Sequence, residues 1–164
     1  MPITLRPAVA GDAEAIRAIY NVEVAGSTVT FDLVARSLED QVAWIEEHSG
    51  GHPAIVAIDD LGAIVGFGSL SPYRERPAYF TTVEDSIYVG GDHRGNGLGH
   101  LLLTELVTLA ASYGYHSMIA RIVGGHDASI TLHRRCGFDI VGTEREVGRK
   151  LGRWLDVTVM QRML

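Results

Sequence analysis

Apolar positions near the start of the chain recur first at alternate residues and then every three or four. ITLRPA, residues 3–8, predicts a short strand. Ile16, Ile19 and Tyr20 then fall at three- and four-residue spacing, which predicts a helix with Asp12 as its N-cap. SLED, beginning at Ser37, predicts a second helix start. It is a capping box with Asp40 in place of the usual Glu or Gln, ahead of apolar Val42, Trp44 and Ile45. The pattern returns to strands at AIVAI (54–58) and AIVGFGSL (63–70), joined by the turn Asp59-Asp60-Leu61-Gly62. YFTTVEDSIYV (79–89) is a longer run rich in aromatic and β-branched residues and predicts another strand.

The next stretch, DHRGNGLGHLLLTELVTLAASYG, carries Gly95, Gly97 and Gly99 at alternate positions and runs into a helix ending near Ser112. HSMIARIV (116–123) predicts a strand, and ASITLHRRCGF (128–138) a short helix ended by Gly137. DIVGTEREV (139–147) and LDVTVMQRM (155–163) predict two closing strands. The order β-α-α-β-β-β-α-β-α-β-β predicts an α/β domain whose mixed sheet is covered by helices. No repeat or linker interrupts it, so residues 1–164 are expected to form one domain.

Composition narrows the function. With 46% apolar residues the chain has ample material for a single core. Fourteen basic against 20 acidic residues, a net charge of −6, argue against nucleic-acid or membrane-surface binding. No apolar run approaches the ~18 residues of a membrane span, and MPITLRPAVAGDAEA lacks the apolar core of a signal peptide. Cys136 is the only cysteine, which excludes an internal disulfide and fits a reducing compartment. A soluble, cytoplasmic protein is expected. The seven histidines show neither HExxH nor paired Cys/His spacing, so no metal is expected.

The alternate glycines suggest the chemistry. A strand, a glycine loop and a helix together aim free backbone N–H groups and the positive end of the helix dipole at an anion. The expected ligand group is therefore phosphate or pyrophosphate; a glycine-rich turn with no ligand is the alternative. No lysine follows as in a P-loop, and G-x-G-x-G is not the dinucleotide pattern G-x-G-x-x-G.

Arg94-x-x-Gly97-x-Gly99, following SIYV, resembles the acetyl-coenzyme A signature of the GNAT superfamily of N-acetyltransferases. HDASITLHRRCGF is similar to the second cofactor segment of that superfamily. TVEDSIYV together with GRKLGRWLDVTVMQRM resembles its phosphinothricin and methionine sulfoximine/sulfone branch, and the likeness runs from Ile3 to Met163. It implies a single-domain GNAT fold: a mixed, mostly antiparallel, splayed sheet of about seven strands flanked by about four helices.

The resemblance also implies acetyl-CoA as co-substrate and a small-molecule amine as acceptor. Pantetheine would lie between the strand ending Ile87-Tyr88-Val89 and HSMIARIV. Arg94, Gly95, Asn96, Gly97, Leu98, Gly99 and His100 would hold the pyrophosphate, with His126 and Ser129 as further cofactor contacts. The Val89 N–H would face the thioester carbonyl. Glu84 takes the place of the general base. Period-two alternation puts Ser86 and Tyr88 on its face, and Asp85 and Ile87 on the other, Asp85 being a supporting or solvent group. His133 occupies the place of the proton donor to the departing thiolate, or orients the cofactor sulfur; Cys136 is read as packing. The acceptor would be bound by Phe31, Tyr73, Arg74, Glu75, Arg76 and Pro77, by Glu84, Asp85 and Ser86, and by Lys150 and Arg153, with Trp154 as a wall.

Three positions depart from the branch. Phe80 stands where an arginine is common, His126 where asparagine is usual, and Gly90-Gly91 where His-Pro is common. The activity implied is acetylation of the α-amino group of a small amino-acid-like substrate (phosphinothricin, methionine sulfone or methionine sulfoximine type), by direct attack in a ternary complex. The alternatives are a peptide, protein N-terminus or other amine as acceptor, or a non-catalytic acyl-CoA sensor. A homodimer is expected from the resemblance.

Overall fold

In the computed structural model, which describes residues 2–164, the elements follow the order read from the sequence. They are β1 (Thr4–Pro7), α1 (Ala13–Gly26), α2 (Leu38–Glu47), β2 (Ala54–Ile58), β3 (Ile64–Pro72), β4 (Thr82–Val89), α3 (Leu98–Ser112), β5 (Ser117–Val123), α4 (Asp127–Arg135), β6 (Asp139–Lys150) and β7 (Arg153–Met163). The seven strands form one sheet in the order β1-β2-β3-β4-β5-β7-β6. β4 and β5 run parallel; the other neighbours are antiparallel.

Alternation along the strands gives each face its own core. Ile55 and Ala57 of β2 join a cluster with Leu102, Leu103, Leu106, Met118, Phe138 and Met160, under α3. Val56, between them, faces the other way, into Ile16, Tyr20, Val24, Ile45 and Phe67, under α1 and α2. Leu98, Leu102, Leu103, Leu106 and Ala110 repeat at three- and four-residue steps, so α3 presents one apolar stripe to the sheet. Burying one such leucine contributes ~2 kcal/mol.

The capping box at Ser37 closes despite its short acid: Ser37 Oγ accepts the Asp40 N–H at 3.0 Å, and Asp40 accepts the Ser37 N–H at 3.1 Å. Asp12 does not cap α1 with its side chain. It ends a 3-10 turn, accepting the Val9 N–H at 2.8 Å and two hydrogen bonds from Arg6 at 2.7 and 2.9 Å. The pairing with Arg6 ties the turn back to β1.

Tyr79 and Phe80 lie outside the strand predicted for them. Pro77, with its fixed φ, opens a 3-10 turn over Pro77–Tyr79, and β4 starts at Thr82. The closing hairpin is longer than expected, turning tightly at Leu151-Gly152. Its register slips between Glu144 and Gly148, so residues 145–147 bulge out opposite Asp156, which accepts the Glu146 N–H at 2.8 Å.

Candidate active site

β4 and β5 pair at three positions only, Thr82 with Ser117, Val83 with Met118 and Glu84 with Ile119. Beyond Glu84 the strands part: β4 continues with β3 alone, and β5 with β7 alone. The orientation of the freed backbone follows from one bond. Gly90 N–H donates to Val65 O of β3 at 2.9 Å, so the alternating backbone turns the Val89 and Ile87 N–H groups the other way, into the gap. The splayed sheet implied by the resemblance is the sheet found.

A cavity of about 690 Å³ opens from this gap. Of the residues expected around the cofactor, it is lined by Ile87, Tyr88, Val89, Arg94, Gly95, Gly97, Leu98, Gly99, His100, His126 and Ser129. Asn96 is exposed and outside the lining. The three glycines have different physical reasons. Gly95 and Gly97 adopt φ of +79° and +81°, and a Cβ on either would meet nothing within 4 Å, so the space above the loop is open. A Cβ on Gly99 would come 3.1 Å from the Leu132 side chain; this glycine lets α3 pack close to α4. Gly97 caps α3, leaving the first-turn N–H groups free to meet an anion. The open loop, the free amides and the strand gap fit acetyl-CoA: a diphosphate at the loop and an extended amide chain along β4.

Arg94 fixes the loop from below. It pairs with buried Glu23 of α1, and its Nε donates to Val89 O at 3.2 Å. His126 Nε2 lies 2.8 Å from Thr28 Oγ1, which joins the second cofactor segment to the stretch after α1. Burial pushes the pKa of His126 below its ordinary value, helped by Arg153 and Arg94.

Glu84 is the last residue of β4 paired to β5, half-buried where the strands separate. It shares its face with Tyr88, which packs on Tyr20 and Phe67; Asp85 and Ile87 face α3. Burial lifts its pKa, Arg121 opposes that, and the charges of Asp85 and Glu144 add to it.

Asp85 is not a solvent group. It is 7% exposed, and its Oδ2 meets His133 Nε2 at 2.9 Å. His133 is 3% exposed, and its Nδ1 faces Ser129 O at 2.8 Å. A carbonyl only accepts, so Nδ1 carries a proton, and Nε2 shares one with the Asp85 carboxylate. Burial opposes charge on this ring, but the Asp85 hydrogen bond and charge and the Ser129 carbonyl outweigh it, and the His133 pKa is raised. His133 lines the cavity with both ring N–H directions already engaged, an arrangement that suits orientation better than proton donation. Cys136 is buried, its Sγ 3.3 Å from His100 Nδ1; burial raises its pKa, and it lies outside the cavity lining.

The expected acceptor residues are scattered. Asp85 and Ser86 line the cavity. Phe31 lies on the closing hairpin: a Cβ on Gly148 would sit 2.3 Å from its ring. Tyr73, Arg74, Glu75, Arg76 and Pro77 form the loop after β3, outside the cavity lining; the Arg74 guanidinium rests on Tyr73 and Tyr79, 5.0 and 5.7 Å from the ring centres. Arg153 is exposed, as is Trp154, under the Arg149 guanidinium at 4.7 Å. Lys150 ends β6. It is 4% exposed, and its ammonium donates to Thr30 O at 2.8 Å and Glu23 O at 3.3 Å. Two of its three N–H donors thus tie the hairpin to α1 and the stretch after it.

The sequence reading missed Glu23, Arg121 and Glu144. Glu23 carries no motif. Arg121 had a signal, the one charge inside the strand SMIARIV. Glu144 could not be found from sequence, because the bulge of β6 decides where it points.

Known proteins agree with this geometry. The sequence profile described as the acetyltransferase (GNAT) family matches residues 16–138. The chain belongs to the GNAT family. It is 41% identical to the L-methionine sulfoximine/L-methionine sulfone acetyltransferase of Pseudomonas paraeruginosa, over 98% of this chain and 94% of that protein. The crystal structure of a GNAT superfamily phosphinothricin acetyltransferase from Sinorhizobium meliloti in complex with AcCoA is similar at a TM-score of 0.96 and 41% identity, covering 100% of this chain and 89% of that one. A ribosomal-protein-alanine N-acetyltransferase from Brucella melitensis is similar at a TM-score of 0.95 and 38% identity, covering 98% and 99%. This GNAT protein is an N-acetyltransferase whose co-substrate is acetyl-CoA. Among the described residues there is no group of three or more His, Cys, Asp or Glu suited to a metal, and no helix long and apolar enough to cross a membrane.

Proposed function

We propose that residues 1–164 act as one catalytic domain that acetylates the α-amino group of a small amino-acid-like acceptor, of the phosphinothricin, methionine sulfone or methionine sulfoximine type. The observation that carries this is the position of Glu84: a half-buried carboxylate at the residue where β4 and β5 part, beside the strand gap. The names of the similar proteins supply the acceptor class.

Acetyl-CoA, when bound, supplies an acetyl thioester. Val89 and Ile87 offer N–H groups along the gap, and the Val89 N–H is the donor for the thioester oxygen as negative charge grows on it. Arg94, Gly95, Asn96, Gly97, Leu98, Gly99 and His100 hold the diphosphate, while His126 and Ser129 border the cofactor arm. Glu84 takes the proton from the acceptor ammonium, directly or through water, so that the amine has a lone pair with which to attack. Asp85 holds His133 in place beside the thiol end of the cavity. Attack is direct within the ternary complex, consistent with a Cys136 thiol that burial keeps protonated.

We further infer a cytoplasmic homodimer. Ile140, Val141, Val147, Leu151, Trp154 and Met163 of the closing hairpin are all more than 40% exposed, an apolar surface suited to a second copy. Acetyl-CoA, a metabolite of the cell interior, supports the compartment.

The test is acetyl-CoA-dependent thiol release against phosphinothricin, methionine sulfone, methionine sulfoximine, the common amino acids, polyamines and an alanine-terminated peptide. Turnover concentrated on the first three is expected. The Brucella neighbour favours a second reading, a protein N-terminus as acceptor, which turnover of the peptide alone would establish instead.

A further inference from the structure

Along the base's side of the sheet β5 presents Ser117, Ile119, Arg121 and Val123, and Arg121 is its one charge. Arg121 lies two residues beyond Ile119, the register partner of Glu84. Beyond Glu84 β5 leaves β4, so with strand rise and spacing of about 3.3 and 4.8 Å their Cα atoms are at least about 8 Å apart; Arg121 is still near enough for its charge to act on the Glu84 carboxyl. Arg121 Nη2 lies 2.6 Å from Glu144 Oε1, and Arg121 also borders the cavity. Glu144 comes from the other end of the sheet. It is the residue at which the 145–147 bulge of β6 begins, and that bulge is stapled by Asp156. Its Oε1 is buried, and Arg121 is the partner that meets it.

Stability does not explain this pair. Side chains 32% and 40% exposed make an ion pair worth ~0–1 kcal/mol, while the arginine puts a charge into an otherwise uncharged strand. Arg121 has five N–H donors in a planar fork, and among the described residues it makes no contact with an acceptor besides Glu144. Donors remain for an oxyanion arriving on the base's face. Tyr73, Arg74 and Arg76, the cations and aromatic expected to read an acceptor, lie on the loop after β3, outside the cavity lining, with Arg74 near enough to feel the charge of Glu144.

We propose that Arg121, held by Glu144 until an acceptor arrives, is the specificity-determining residue that takes an oxyanion of the acceptor while Glu84 faces its amine. The inference rests on the amino-acid acceptor proposed above and names the group that selects it. In an α-amino acid, amine and carboxylate are separated by one carbon, so a carboxylate base and a guanidinium on neighbouring strands fit both ends. A phosphinate side chain is the other source of the same chemistry. Glu144 competes for the guanidinium, so an acceptor without an oxyanion gains nothing from Arg121, and one with an oxyanion must outbid a carboxylate already present.

The experiment compares methionine sulfone and phosphinothricin with their α-carboxamides, in the full-length enzyme, by kcat/KM. Wild type should prefer acid to amide by ~10²-fold or more, and Arg121→Met should abolish the preference through KM, with the KM for acetyl-CoA unmoved. Loss of preference confined to free carboxylates assigns Arg121 to the α-carboxylate. An equal effect on phosphinothricin amide, which keeps its phosphinate, assigns it to the side-chain anion; either result supports the proposal. A preference retained in Arg121→Met with no loss on phosphinothricin or its amide, or equal losses on methionine sulfone and its amide, overturns it. Glu144→Gln is a second arm should Arg121→Met fold poorly: it should lower KM for the acids, and an unchanged or higher KM counts against the proposal. If wild type binds acetyl-CoA but turns over none of these amino acids, the acceptor reading itself falls and this inference with it. Turnover with an unmoved preference and no loss on phosphinothricin or its amide removes this inference alone.

Discussion

A carboxylate serves as a base only when ionised, and burial makes ionisation of Glu84 costly, with Arg121 pulling the other way and Asp85 and Glu144 adding to the burial. The acid limb of kcat/KM should therefore lie above the ordinary carboxylate pKa of about 4.5. Glu84→Gln should lower kcat by ~10²-fold or more and erase that limb. The same burial has a stability consequence of opposite sign. A carboxyl with a raised folded pKa stabilises while protonated and loses that contribution as pH climbs through the folded value. Glu84→Gln should then be more stable than wild type at neutral pH, measured as a higher urea midpoint. His133 also has a raised pKa, so its pairing with Asp85 is fully present below about pH 6.5 and fades as pH rises through the higher folded value. Wild-type stability should fall across that window, and His133→Gln should flatten the profile. Glu84 was legible in the sequence because a family motif marks it. The burial of Asp85 was not, since alternation gives the face of a side chain but not what covers that face, here His133 of α4.

At the scale of elements, the glycine loop was legible in its place before α3 and only partly in its reasons. Gly97→Ala would force a left-handed backbone on a residue with a Cβ, costing ~1–2 kcal/mol, and should raise the KM for acetyl-CoA. Gly99→Ala would instead press on Leu132, so its effect should appear in thermal stability first. Leu106, wholly buried on α3, should cost ~2–5 kcal/mol as alanine, seen as a lower urea midpoint at constant slope. The helix starts illustrate how local signals fare. Ser37 needs only its own turn to work as a cap, and it does. Asp12 has the right chemistry for a cap but a stronger partner in Arg6, six residues back on β1.

Across the whole molecule, acetyl-CoA binding only the folded chain should stabilise it by ~2.7 kcal/mol at a hundred times its dissociation constant. The melting temperature should rise with its concentration; a melting point that ATP raises and acetyl-CoA does not would contradict the site. For the proposed homodimer, Val141→Glu or Trp154→Glu on the exposed hairpin should shift the light-scattering mass to that of one chain. The sequence by itself determined the element order and the glycine stretch that opens α3, because each rests on periodicity or on residues adjacent along the chain, while the roles of those glycines and of Glu84 were read from a family motif. Tertiary structure alone decided where β4 leaves β5, that Lys150 is spent on the carbonyls of Glu23 and Thr30, and that Glu144 meets Arg121. Those contacts join residues from 23 to 127 positions apart, and which side chains meet across such gaps depends on strand register and bulges, which no local pattern carries.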